Sequence, residues 1–242
     1  MNHGRALLYT VALNGYATSY RAAIKSHEAY AARIGARYAK VVRPYAKDPA
    51  LAAWLKIPLM LAGLENGYEW VGYIDADCVV RTRAGDFRSV LPASDADVYM
   101  AEGRTGRINS GVMFARSSES SVQFFNKVME SITRPVDEQD RQGLKYENGN
   151  VIHIDRTQQS IARMPLEWNN TYDTDLNDSI RHFAGPMRHL YQRSALDTFV
   201  GKAQKVFARR PTPQPERRSE DFLGDLQTMT RRVMQLYPAF KG

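Results

Sequence analysis

The sequence predicts an α/β fold: a mixed, mostly parallel sheet flanked by helices, followed by a basic helical tail. Three observations carry this. The chain opens with a strand–helix–strand pattern, which within one sheet implies parallel strands joined by a right-handed crossover. Short apolar runs then alternate with helical segments as far as Phe183. Between them lies Trp70-Val71-Gly72-Tyr73-Ile74-Asp75-Ala76-Asp77-Cys78-Val79-Val80, a β-branched and aromatic run of buried-strand type that carries two carboxylates separated by one residue.

Taken in order, Ala6 to Ala12 reads as the first strand and Asn14-Gly15 as the turn that ends it. Tyr20 to Ala39 is Ala-rich, with Ile24, Tyr30 and Ile34 as inner positions of a helix, and Tyr38 to Val42 forms a second strand stopped by Pro44. A helix over Ala50 to Gly63 is capped by Asp48 with Pro49 at its first position. Pro58 kinks it or begins a new turn, and Glu65-Asn66-Gly67 ends it. Trp54 and Trp70 read as core. Asp97 to Ala101 and Arg107 to Ala115 are further strands. Ser117 or Ser118 caps a helix with Val122, Phe125 and Met129 inward. Asp137 to Asp140 opens another helix, where acidic side chains suit the dipole. Asn150 to Ile154 is a β candidate, Ile161 to Trp168 leads into Asn169-Asn170, and Ser179 to Phe183 is a short strand carrying His182. Arg209 to Arg218 is an extended Pro- and Arg-rich linker. Ser219 to Leu236 follows as an amphipathic helix with Phe222, Leu226, Met229, Val233 and Leu236 on one stripe. That stripe docks on the domain or on a second subunit, or lies on an anionic membrane surface with Arg231 and Arg232 at the headgroups.

The composition is that of a globular chain without a membrane span or a signal-peptide pattern, for which cytoplasm, with peripheral membrane contact through the tail, is the expected location. A single cysteine, Cys78, excludes a disulfide framework and a Cys-rich zinc site. Of the net charge of +7, about +5 falls in residues 202–242, pointing to an acidic partner for the tail or to a solvated basic face. The tail lacks the interleaved aromatics that stack bases, which argues against nucleic acid.

An Asp-x-Asp at the end of a strand sends both carboxylates the same way. They can then face one divalent cation and a phosphate held by it, and hard oxygen donors of this kind suit Mg²⁺ or Mn²⁺. A solvated strand end is the alternative reading of those two residues alone.

The wider motif set narrows the choice. Trp54-Leu55-Lys56-Ile57-Pro58, Glu69 to Asp77, Asn109-Ser110-Gly111-Val112, Asp137-Glu138-Gln139-Asp140, Trp168-Asn169 and His182-Phe183-Ala184-Gly185 occur in that order. Together they resemble the retaining GT-A glycosyltransferases, most closely the family of fungal galactosyl/mannosyltransferases and plant xyloglucan xylosyltransferases. The resemblance covers about residues 6–190. It implies a transferase domain over 1–193 of GT-A (Rossmann-like) fold, leaving 194–242 as linker and helix. It implies that Asp75, Asp77 and His182 bind Mn²⁺ (or Mg²⁺), which bridges the diphosphate of a nucleotide sugar, UDP-linked by preference. Lys56, Gly185 and Arg188 would face that donor, with Arg188 near the place where related families carry a Lys. Thr10, Ala12 and Tyr16 would hold the nucleobase and ribose. Asn109, Glu138 and Gln139 would line the donor sugar and reaction centre, Glu138 standing where relatives usually have Asp. Trp168 and Asn169 would serve the acceptor side or anchor a loop. The acceptor would be a carbohydrate or lipid-linked hydroxyl, attacking from the front face. Two other classes compete. A non-catalytic nucleotide- or glycan-binding domain would be expected to have lost a metal ligand, and all three are present. A phosphatase of the haloacid-dehalogenase type would carry its Asp-x-Asp earlier in the chain.

Overall fold

The computed structural model describes residues 5–91, 94–144, 146–192, 197 and 219–241. A six-stranded sheet runs in the order β2-β1-β3-β6-β5-β7, formed by β1 (Ala6–Val11), β2 (Arg37–Val41), β3 (Trp70–Ile74), β5 (Val98–Met100), β6 (Val112–Arg116) and β7 (Ile161–Arg163). β1 pairs in parallel with β2 and β3, and β5 with β7, whereas β6 runs antiparallel to both of its neighbours. A second, two-stranded antiparallel sheet joins β4 (Cys78–Val80) to β8 (Ile180–His182).

The strands obey the two-residue period of a sheet buried on both faces. Leu7, Tyr9, Val71, Tyr73, Met113 and Ala115 enter one core, and Leu8, Trp70, Ile74, Val112 and Phe114 the other. Gly72 lies on the second face because a Cβ there would stand 2.3 Å from Leu8 Cδ2 and 2.8 Å from Phe114 Cδ1. The space goes instead to Phe114, which stacks on Phe87 at 4.4 Å and meets Trp168 edge-on.

Local chemistry sets the helix boundaries. α1 (Tyr16–Ser19) follows the Asn14-Gly15 turn, both residues at positive φ. α2 (Arg21–Arg33) stops short of the expected Ala39, because Gly35 takes φ +66° and turns the chain into β2. The single helix expected over Ala50 to Gly63 is two, α3 (Pro49–Trp54) and α4 (Lys56–Glu65), with Asp48 accepting from the Ala50 N–H at 2.8 Å. Pro58 has no N–H for the Trp54 carbonyl, so the break comes one turn before it. After the short α5 (Phe87–Val90), α6 (Glu119–Glu130) starts from a Ser118 capping box and buries Phe124, Phe125 and Val128. Of the expected inner face only Phe125 is fully buried, and Val122 and Met129 sit at its margin. α7 (Glu138–Arg141) is a single turn. The β candidate at Asn150 to Ile154 is helix instead, within α8 (Asn148–Gln158). Val151 and Ile154 lie three apart on its buried face, and a short β-branched run does not distinguish the two states.

The last helix, α9 (Ser219–Leu236), has the expected bounds. It packs on α3 and α4, burying Leu226, Met229 and Val233, with Phe222 edge-on to Trp54. The 3₁₀ turn Pro238–Lys241 completes the dock: Phe240 is fully buried against Tyr9, and Tyr68 donates to the Ala239 carbonyl at 2.8 Å. The Tyr237 hydroxyl accepts from the N–H groups of Val42 and Arg43 at 2.8 and 3.0 Å. Most of the apolar stripe is therefore spent inside the chain, but Leu236, expected on it, is 47% exposed at the helix end where the chain turns away, and Arg231 and Arg232 remain exposed. The linker at Arg209 to Arg218 lies outside the described residues. Among them, no helix is long and apolar enough to cross a membrane.

Candidate active site

β3 ends at Ile74, and the chain then turns rather than extends. The Asp75 N–H donates to the Gly111 carbonyl at 2.8 Å, and the Cys78 N–H to the Asp75 carbonyl at 2.9 Å. Convergence of the two carboxylates therefore does not come from strand alternation, as the sequence suggested. It comes from β8, whose pairing sets His182 opposite Cys78. His182 Nε2 lies 3.2 Å from Asp77 Oδ1 and 3.8 Å from Asp75 Oδ2.

The imidazole is held from behind. Asn169 Nδ2 donates to Asn109 O at 3.1 Å and to Asn109 Oδ1 at 2.9 Å, which fixes the amide with its oxygen toward His182 Nδ1 at 3.0 Å. Nδ1 is then the N–H donor, and Nε2 is left facing the carboxylates. This is the outer-shell arrangement that orients a metal-binding histidine. Gly111 leaves room for the ring, since a Cβ there would sit 2.2 Å from His182 Cε1. Burial alone would lower the His182 pKa, but Cys78 and Asp77 outweigh it and hold it well above the usual range. Burial likewise raises Asp77, and His182 more than reverses this. The locus favours positive charge, and its oxygen and nitrogen donors fit Mn²⁺ or Mg²⁺.

Lys56, at the start of α4, supplies the inner wall. It is 5% exposed, with Nζ 2.8 Å from Glu147 Oε1, 3.6 Å from Asp75 Oδ1 and 4.8 Å from the Tyr73 ring centroid. Burial would lower its pKa, but Asp75 and Glu147 raise it, so the ammonium stays charged. Ser110 Oγ donates to Glu147 at 3.0 Å, and the Tyr73 hydroxyl donates to Asp75.

Lys56, Tyr73, Asp75, Asp77 and Glu147 line a cleft of about 470 Å³, together with Asn14, Tyr16 and Tyr146, while His182 lies buried behind Asp77, outside that lining. It opens beyond the carboxyl ends of β1 and β3, where open α/β sheets place their ligands. Tyr16 and Tyr146 are 56% and 45% exposed, and Tyr146 holds a left-handed φ of +64°.

The structure thus brings together Lys56, Asp75, Asp77, His182 and Tyr16, with Asn109 one residue removed behind Asn169. Thr10 and Ala12 are buried, and the neighbouring Val11 and Leu13 line the cleft instead. Gly185, at φ +48°, begins the 3₁₀ turn Gly185–Leu190 that carries the exposed Arg188. Tyr20 packs between Tyr16 and Tyr191, with ring centroids at 5.7 and 5.1 Å, so the end of that turn comes close to the cleft mouth. Glu138 and Gln139 are exposed on α7, outside the cleft lining. Arg107 ties them to the Asn109 loop by donating to the Gln139 carbonyl at 3.2 Å. Their neighbour Asp140 is buried by pairing with His153 and Arg156 at 2.8 and 2.9 Å. Glu147 and Tyr146 were missed in the sequence, where Tyr146-Glu147 carries no motif. Trp54 and Trp70, expected of the core, are buried there, at 6% and 9% exposure.

The profile of the nucleotide-diphospho-sugar transferase family matches residues 17–165. No curated protein matches the chain. Among solved structures, a glycosyltransferase involved in glycosylation of the major capsid of PBCV-1 is similar at 14% identity and TM-score 0.59, over 77% of this chain and 97% of that one. The galactosyltransferase LgtC, solved with donor and acceptor sugar analogues, is similar at 14% identity and TM-score 0.50, over 87% of this chain and 98% of its own. The glycosyltransferase GlyE of Streptococcus pneumoniae TIGR4 is similar at 12% identity and TM-score 0.50, over 93% of this chain and 65% of its own. With the cleft at the strand ends and the profile across most of the sheet, the chain belongs to the nucleotide-diphospho-sugar transferase family and is a glycosyltransferase of GT-A fold.

Proposed function

We propose that this chain is a metal-dependent, retaining transferase that moves a sugar from a UDP-linked donor to a carbohydrate or lipid-linked hydroxyl. We place it in the branch that includes the fungal galactosyl/mannosyltransferases and plant xylosyltransferases. The observation that carries the reading is the meeting of Asp75, Asp77 and an oriented His182 Nε2 at a cleft whose inner wall holds a buried, charged Lys56. Motif order supports the branch.

Asp75, Asp77 and His182 would hold the divalent ion, which as a Lewis acid offsets the charge growing on the leaving diphosphate. Lys56 faces the same diphosphate as a fixed charge kept protonated by Asp75 and Glu147. Tyr16 lies at the mouth for the nucleobase, with Arg188 and Gly185 on the donor side, and Val11 and Leu13 line it in place of the buried Thr10 and Ala12. Asn109, Glu138 and Gln139 contribute the sugar subsite, joined through Arg107. No carboxylate is assigned as a covalent nucleophile. The acceptor oxygen bonds to the anomeric carbon on the face from which the diphosphate leaves, and its proton passes to a diphosphate oxygen.

Equilibrium binding of UDP and GDP, with Mn²⁺ and with EDTA, tests this. UDP is expected to bind with Mn²⁺, and to bind weakly with EDTA or in Asp77→Asn. Binding of neither nucleotide with Mn²⁺ overturns it.

A further inference from the structure

Cys78 follows the Asp-x-Asp pair directly and has no part in the reaction just described. It is fully buried, and its cross-strand partner in the β4–β8 sheet is His182. Opposed residues of an antiparallel pair put their side chains on the same face. Cys78 Sγ, an imidazole nitrogen of His182 and a carboxylate oxygen of Asp77 accordingly lie within 4.8 Å of one another.

Sulfur, imidazole and carboxylate are a donor set for zinc-class cations rather than for Mg²⁺ or Mn²⁺. Ligand atoms around a tetrahedral zinc stand roughly 3.5 Å apart, given bond lengths of about 2.0–2.3 Å. Closing the present triangle therefore takes at most about 1.3 Å of side-chain adjustment. The other acidic cluster with a histidine, Asp137, Asp140 and His153, has no comparable claim: Arg156 bonds to both of its carboxylates.

We propose that Cys78 is a sulfur donor at the catalytic ion's own locus, so that Zn²⁺ and Cd²⁺ bind through Asp77, Cys78 and His182 and displace Mn²⁺. The site then has two modes: an oxygen-rich one that holds the donor diphosphate, and a sulfur-ligated one that excludes it. Thiophilic cations are inhibitors by capture of the metal site. This rests on the reading of Asp77 and His182 as metal ligands.

The test uses the full chain with Co²⁺ and Cd²⁺ as probes, followed by ultraviolet absorption, and Mn²⁺ followed by electron paramagnetic resonance. Thiolate-to-metal charge-transfer bands are expected with Co²⁺ and Cd²⁺, absent in Cys78→Ser and Cys78→Ala. The ratio of Cd²⁺ to Mn²⁺ affinity is expected to fall about tenfold or more in both variants, as loss of a soft ligand requires. Taking a ratio cancels any general weakening of the fold. Co²⁺ binding without a charge-transfer band overturns the role of Cys78 and leaves the metal site standing. Failure of all three ions to bind overturns the metal site and this inference together.

Discussion

Gly111→Ala probes the contribution of His182 without substituting any proposed metal ligand. Gly111 has no positive φ, so the backbone accepts alanine and the effect is steric. The new Cβ would sit 2.2 Å from His182 Cε1, 2.7 Å from its Nδ1 and 2.8 Å from Asn109 Oδ1. Carbon atoms pack at about 3.5–4.0 Å, so the ring must retreat by about 1 Å or more. Metal–ligand distances tolerate only about 0.2 Å, and the retreat also pulls Nδ1 from the Asn169 amide. Loss of outer-shell support alone costs about 10- to 100-fold in metal affinity, or about 1.4–2.8 kcal/mol. The assay is calorimetric titration of Mn²⁺ in the presence of UDP, repeated in a His182→Ala background. If the alanine acts through the imidazole, Gly111→Ala should cost little once the ring is gone, and nearly the whole effect should appear as coupling. Unchanged Mn²⁺ affinity, or equal cost in both backgrounds, would refute the assignment of His182.

Three further outcomes follow from the packing. His27 is fully buried, bonded through Nε2 to the Cys78 carbonyl at 2.7 Å, and burial lowers its pKa from 6.5 to about 4. The unfolded chain takes up the proton first, so stability should fall by about 3 kcal/mol as pH drops from about 6.5 to about 4, then level off; urea midpoints of the wild type against His27→Gln should converge over that window, and parallel curves would exclude it. Glu147→Gln removes the charge that steadies Lys56, and should cost about 1–3 kcal/mol by urea unfolding while weakening nucleotide binding. Phe240→Ala should cost about 3–5 kcal/mol in a single cooperative thermal transition; a separate low-temperature transition for α9 would show that the terminal segment is not part of the domain core.

Much of this was legible in the chain because the determinants are local. The continuous apolar runs of β1, β3 and β6, the Asp48-Pro49 cap and the bounds of α9 are written in neighbouring residues. Asp75, Asp77, His182 and Lys56 were legible as a motif set. What escaped depends on distant parts of the chain. Nothing near Glu147 announces that it will pair with Lys56 across the cleft. The role of Asn169 depends on Asn109 standing behind it. Asp75 and Asp77 were read as one side of a strand, whereas a turn and the return of β8 bring them together. Val151 to Ile154 looked like strand because β-branching outweighed a three-residue spacing. The stripe of α9 was clear, but its docking surface on α3 and α4 was not.

The central claim, metal-dependent transfer from a nucleotide sugar, is tested most directly by nucleotide release from a panel of UDP- and GDP-sugars. The reactions run with Mn²⁺ or EDTA and with an acceptor mixture, for the wild type and Asp77→Asn. The account predicts turnover of a UDP-linked donor with Mn²⁺, abolished by EDTA and reduced about 100-fold or more in Asp77→Asn, with the α-configured donor giving an α-configured product. Turnover that persists in EDTA and in Asp77→Asn would contradict it.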